Sequence, residues 1–238
     1  MNMLIKCLVF AISITLIPFV YAGKLTDKHY SHVGFFDIHY CNWPDRKPFI
    51  LALFSTVHYK NINEIEIFDP DNRKITSLDL DRFRQVETKS KKIKKVFIKQ
   101  VEVDATFKDG WYRSVVSLND GTKVISYDYV KYTLMEMASK TVPEDESEEV
   151  DVPESLRWKK IDDAKYYQVF IKDMWQDGKL IYTSKLLDKN KLKLPEGLLE
   201  PGGYYSWRIH ARDVNEDIKL GDFNHGSLSK ILTFSVTD

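Results

Sequence analysis

Two cysteines in 238 residues are too few for a disulfide framework, and one of them, Cys7, sits inside an N-terminal apolar run. The sequence has no glycine-rich phosphate loop, no serine elbow and no pair of histidines at helical metal-ligand spacing, so it carries none of the short motifs that announce those chemistries. Its longest apolar run, Cys7 to Val20, has 14 residues, short of the roughly 20 that a membrane-spanning helix needs. Charge of one sign is not in excess either. Thirty-five Lys and Arg against 35 Asp and Glu give a formal net charge of +0, which projects no strong field toward nucleic acid or an acidic membrane.

What is present begins with that apolar run. It follows a single cation, Lys6, is interrupted only by Ser13, Thr15 and Pro18, and leads to the small residues Ala22 and Gly23. This is the pattern of an export signal peptide over residues 1–22, cleaved near Ala22. It predicts a periplasmic or secreted protein with no transmembrane segment in the mature chain. Loss of Cys7 leaves Cys41 alone, as a free thiol, a buried one, or half of a disulfide between chains.

Residues 144–151, Glu-Asp-Glu-Ser-Glu-Glu-Val-Asp, form an acidic run between Pro143 and Pro153. Like charges this dense repel one another, so the run predicts a solvated linker over residues 143–152 between domains at 23–142 and 153–238. Upstream of it, short blocks alternate at period two, with Phe36, Ile38 and Tyr40 in one and Ile62, Ile65 and Ile67 in another. Turn signals separate the blocks, among them Asp69-Pro70-Asp71-Asn72 and Asp120-Gly121. Six to eight strands and no helix are expected there, and the span resembles bacterial immunoglobulin-like β-sandwich domains in a general way.

Downstream, Leu156 and Trp158 are followed by an alternating block, Tyr167, Val169 and Ile171, and then by the series from Leu199 to Ala211. In that series Pro201 and Gly202 turn the chain, a tyrosine follows, and Tyr205, Trp207, Ile209 and Ala211 recur at every second position. The segment resembles a fibronectin type III domain, in which a leucine and a proline-glycine turn precede the tyrosine that opens the sixth strand. The resemblance implies a seven-stranded sandwich with Trp158 in its core, a seventh strand at Thr233 or at Phe234 with Val236, and a reduced first strand around Val152. The whole chain is therefore expected to be all-β, two immunoglobulin-like sandwiches in tandem, the second of fibronectin type III type. It has no Arg-Gly-Asp sequence.

The nearest approach to a metal cluster is His29, His32, His39 and Cys41. An extended strand points His32 and His39 to opposite faces, and His29 is expected in a disordered N-terminus, so no metal or other cofactor is predicted. Cys41 on a strand face lacks the electropositive pocket of an activated thiol. Asp69 and Asp71 lack the glycine and the terminal glutamate of a calcium loop, and Asp213, Glu216 and Asp217 read as turn formers. Candidate ligand contacts are the aromatics Trp111, Trp175 and Tyr204 and the lysines Lys91, Lys92, Lys94 and Lys95. Together these features predict a non-enzymatic binding or spacer protein of the bacterial envelope whose partner is a protein. The alternatives are a carbohydrate-binding accessory module and a periplasmic chaperone-like two-domain protein.

Overall fold

A computed structural model describes residues 27–214 and 223–238; residues 1–26, with the signal peptide expected over 1–22, and residues 215–222, with Glu216 and Asp217, lie outside the described residues. Its strands are β1 (Tyr30–Ser31), β2 (Gly34–Asn42), β3 (Phe49–Thr56), β4 (Ile62–Phe68), β5 (Lys74–Ser77), β6 (Phe83–Glu87), β7 (Ile93–Glu102), β8 (Gly110–Leu118) and β9 (Lys123–Val130). They continue with β10 (Ser147–Val150), β11 (Ser155–Arg157), β12 (Tyr166–Asp173), β13 (Lys179–Thr183), β14 (Lys191–Lys193), β15 (Tyr204–Arg212), β16 (His225–Leu228) and β17 (Leu232–Val236). Among the described residues the fold is all-β, and no helix is long and apolar enough to cross a membrane.

In the first half, β2, β3, β7 and β6 face a four-stranded sheet ordered β5-β4-β8-β9. Alternation sends Phe36, Ile38 and Tyr40 of β2 inward against Ile65 and Ile67 of β4 and Phe97 of β7. Each such large side chain, once dry, contributes about 1.5–3 kcal/mol. On β9 the inward face is Val124, Ser126, Asp128 and Val130, which leaves Tyr127 and Tyr129 outside. A buried carboxylate on this face needs partners.

In the second half, β11 and β14 pack against β12, β13, β15, β16 and β17, the strand arrangement of a fibronectin type III sandwich. Trp158, Tyr167, Trp207 and Phe234 fill its core. The Tyr205 hydroxyl accepts the Glu200 N–H at 2.8 Å, a tyrosine corner. Gly203 is required beneath it, because a Cβ there would lie 2.4 Å from the Tyr205 ring.

Two features differ from the sequence expectation. The acidic stretch does not run through solvent as a linker: Ser147–Val150 forms β10, parallel to β17, and supplies the first strand expected around Val152. The β17 edge offers hydrogen bonds, and Glu148 and Glu149 keep their carboxylates in water at the sheet margin. The preceding segment also packs on the second core, through Met135 and Ala138. The second feature is that the sheets of the two halves are joined. Strand β16 pairs in parallel with β2, His225 opposite Tyr40, Gly226 opposite Cys41 and Ser227 opposite Asn42. Asn42 Nδ2 donates to the Met135 carbonyl and Ser227 Oγ to that of Glu136.

Candidate functional site

At the end of β12 the Asp173 carboxylate accepts the backbone N–H groups of Trp175 (2.9 Å) and Gln176 (3.3 Å), which folds a tight turn toward β13. Asp177 and Gly178 complete it at φ of 54° and 70°. The turn holds Trp175 out from the sheet at 73% exposure. Its ring is nevertheless fixed, since Nε1 donates to the Gly202 carbonyl at 3.2 Å and the Tyr204 ring stands 5.7 Å away at 54°. Beside the pair runs a groove of about 560 Å³ floored by β17 and walled by β10, with Glu146, Glu148, Thr233 and Ser235 along it. Two aromatic faces, two carboxylates and hydroxyls suit a ligand with an apolar or cationic face and hydrogen-bond donors.

The other candidate contacts lie elsewhere. Trp111 is on β8, on the outer face of the four-stranded sheet; its ring edges against Tyr129, and Lys28 Nζ sits 3.9 Å above it, so the protein's own cation covers one face. The lysine run forms the β6–β7 hairpin. Lys91, at φ 58°, and Lys92 shape its turn on Thr88, and Lys95 lies 3.5 Å over the Phe83 ring. Lys94 is on the half-buried start of β7. The edge strand is therefore β6, with β7 between it and β3. Trp175 and Tyr204 come together, whereas Trp111, Lys91, Lys92, Lys94 and Lys95 belong to the other half.

The histidines also depart from expectation. His29 is 1% exposed instead of lying in a loose terminus, and His32 is at the surface. His29 Nδ1 lies 2.7 Å from Asp27 Oδ1, and its Nε2 lies 3.0 Å from Asp128 Oδ1. Asp128 Oδ2 accepts the Ile38 N–H, and Asp37 Oδ2 meets His39 Nε2 at 2.7 Å. This constellation sits where β2 runs between its pairing with β1 and its pairing with β16. The signal that could have found it is a carboxylate set among apolar strand positions: Asp37 between Phe36 and Ile38, and Asp128 on the inward period between Ser126 and Val130.

Around the junction His39 stacks on Phe223 at 3.6 Å, and His210 and Arg212 also meet that ring. Burial, Arg212 and His39 push the His210 pKa down to about 3, so it is neutral. Burial opposes charge on His225 too, but the Asp213 carboxylate at 2.6 Å and the Lys131 carbonyl outweigh it and raise its pKa. Cys41 is buried and its thiol is pushed up to about 12, an unreactive state.

No protein-family model and no curated protein matches the chain. Solved structures similar to it include domains A168-A170 of titin (12% identity, 85% of this chain and 67% of that one, TM-score 0.29). The FN1-FN3 domains of chicken CNTN1 are also similar (10% identity, 85% and 65%, TM-score 0.31). So is dimeric latent PorU from Porphyromonas gingivalis (14% identity, 86% and 20%, TM-score 0.30). The chain thus spans about two thirds of the first two and a fifth of the third.

Proposed function

We propose that the chain is a non-enzymatic binding protein of the bacterial envelope, exported by its leader and acting in the periplasm or outside the cell, whose contact surface is the groove at Trp175 and Tyr204. The observation that carries this reading is Trp175 itself. A ring 73% exposed forgoes most of the free energy of burial, yet it is tied in place by the Gly202 carbonyl and the Tyr204 ring. Such pre-orientation favours binding, because little side-chain entropy is left to lose. A protein partner is favoured by β10, which among the described residues pairs only with β17 and leaves an edge beside the groove for an extended segment. In this reading the two sandwiches act as tandem modules, the second of which carries the contact surface.

The groove lining also favours a second reading, a glycan stacked on Trp175 with its hydroxyls bonded to Glu146 and Glu148. The immobilised chain, exposed to periplasmic extract, culture fluid and a glycan array, distinguishes these. The expected result is a specific protein captured by the wild type and lost at least tenfold with Trp175→Ala, with the thermal midpoint of that surface variant unchanged. Capture of glycan alone selects the second reading. A chain that captures no macromolecule and turns over a small substrate overturns both.

A further inference from the structure

The geometry points to a divalent-metal site in the first sandwich, formed by His29, Asp37 and Asp128. One ligand atom from each lies within 4.8 Å of the others, and all three side chains are buried to 1% exposure or less. A single ion with bonds of about 2.0–2.2 Å to imidazole nitrogen and carboxylate oxygen gathers such a set with side-chain shifts under an ångström. The 3.0 Å between His29 Nε2 and Asp128 Oδ1 already matches two adjacent ligands about 90° apart on an ion with bonds of about 2.1 Å.

The arrangement around those atoms distinguishes the cluster from a chance gathering of acids. Metal-bound histidines hand their other ring nitrogen to a carboxylate, and metal-bound carboxylates are themselves hydrogen-bonded. Here Asp27 Oδ1 holds His29 Nδ1 at 2.7 Å and also accepts the His29 backbone N–H. His39 Nε2 holds Asp37 Oδ2, and the Ile38 N–H holds Asp128 Oδ2. Each of the three residues thus has one polar atom oriented by a neighbour. The His29 imidazole lies between the Asp27 and Asp128 carboxylates. An incoming ion takes the Nε2 lone pair, any proton there leaving to solvent, and its charge of +2 meets two carboxylates.

The donor set selects the ion class. Nitrogen among the donors disfavours calcium, and a buried three-residue site disfavours magnesium, which keeps several waters. One imidazole with two carboxylates suits a first-row transition ion, zinc or manganese. The three ligands come from the segment before β1, from β2 and from β9, so the ion would tie that segment to both sheets.

The test is equilibrium dialysis of the untagged, exported chain, stripped with chelator and then exposed to zinc, followed by quantification of bound metal and of the thermal midpoint. One zinc per chain and a raised midpoint are expected. Asp37→Asn should lower zinc affinity at least tenfold. Asp27→Asn, which only orients His29, should lower it by about tenfold to a hundredfold, and surface His32→Ala should leave it unchanged. A folded wild-type chain that takes up no zinc overturns the assignment, and so does full uptake by a folded Asp37→Asn or loss of uptake in His32→Ala. Should Asp37→Asn not fold, the wild type and the partly exposed Asp27 variant decide the matter.

Discussion

His210 shows how one side chain at the junction of the halves sets a pH response. Its pKa falls from 6.5 in the unfolded chain to about 3 in the folded one, because burial, Arg212 and His39 all disfavour the imidazolium. A depressed pKa means that the unfolded chain binds the extra proton first, so stability is whole above pH 6.5 and declines as pH falls from there toward 3. His225 works the other way: its raised pKa adds stability at low pH that is lost as pH rises through the folded value. Urea unfolding of the wild type and of His210→Gln between pH 7 and pH 4 separates the two. The wild type should lose stability more steeply over that range, and parallel curves would show that His210 does not titrate as described.

At the scale of elements, the corner from Pro201 to Tyr205 is the most tightly determined piece of the second sandwich. Gly202, at φ 68°, donates to the Thr237 carbonyl, and Gly203 lies under the Tyr205 ring where no Cβ fits. Gly203→Ala should therefore cost about 1–3 kcal/mol, the usual range for overpacking, read as a lowered urea midpoint at unchanged slope; a neutral result would mean that the ring moves aside freely. This corner was legible in the sequence because proline, glycine and tyrosine each have a local reason to stand there. The inward series Tyr205, Trp207, Ile209 and Ala211 was legible for the same cause, a period of two. Strand β10 was not, because Glu148 and Glu149 carry no apolar face and the strand exists only through the edge that β17 presents. The Trp175–Tyr204 groove was half legible: the turn exposing Trp175 follows from Asp173 to Gly178, but its meeting with Tyr204 depends on β12 pairing with β15. Alternation hides both buried carboxylates: on β9 the aromatic Tyr127 and Tyr129 point outward while Asp128 points in, and on β2 Asp37 lies on the face opposite Phe36 and Ile38, which is buried as well.

For the whole molecule, the parallel pairing of β2 with β16 makes the two cores share one hydrogen-bonded sheet, reinforced by the His39–Phe223 stack. Local openings that cross such a junction cannot be confined to one half. Calorimetry should accordingly give one transition with equal calorimetric and van't Hoff enthalpies; two resolved peaks would mean that the junction contributes little to cooperativity. The same junction governs the order of events when the chain is made. Tyr40 finds its partner His225 only after 185 further residues have followed it, 225 less 40, a sequence separation that slows folding. Until the last strands are made, the first sandwich waits with part of β2 open along one side. In that interval the newly made half is a target for strand-seeking chaperones and for aggregation, and the arrival of β16 ends that exposure.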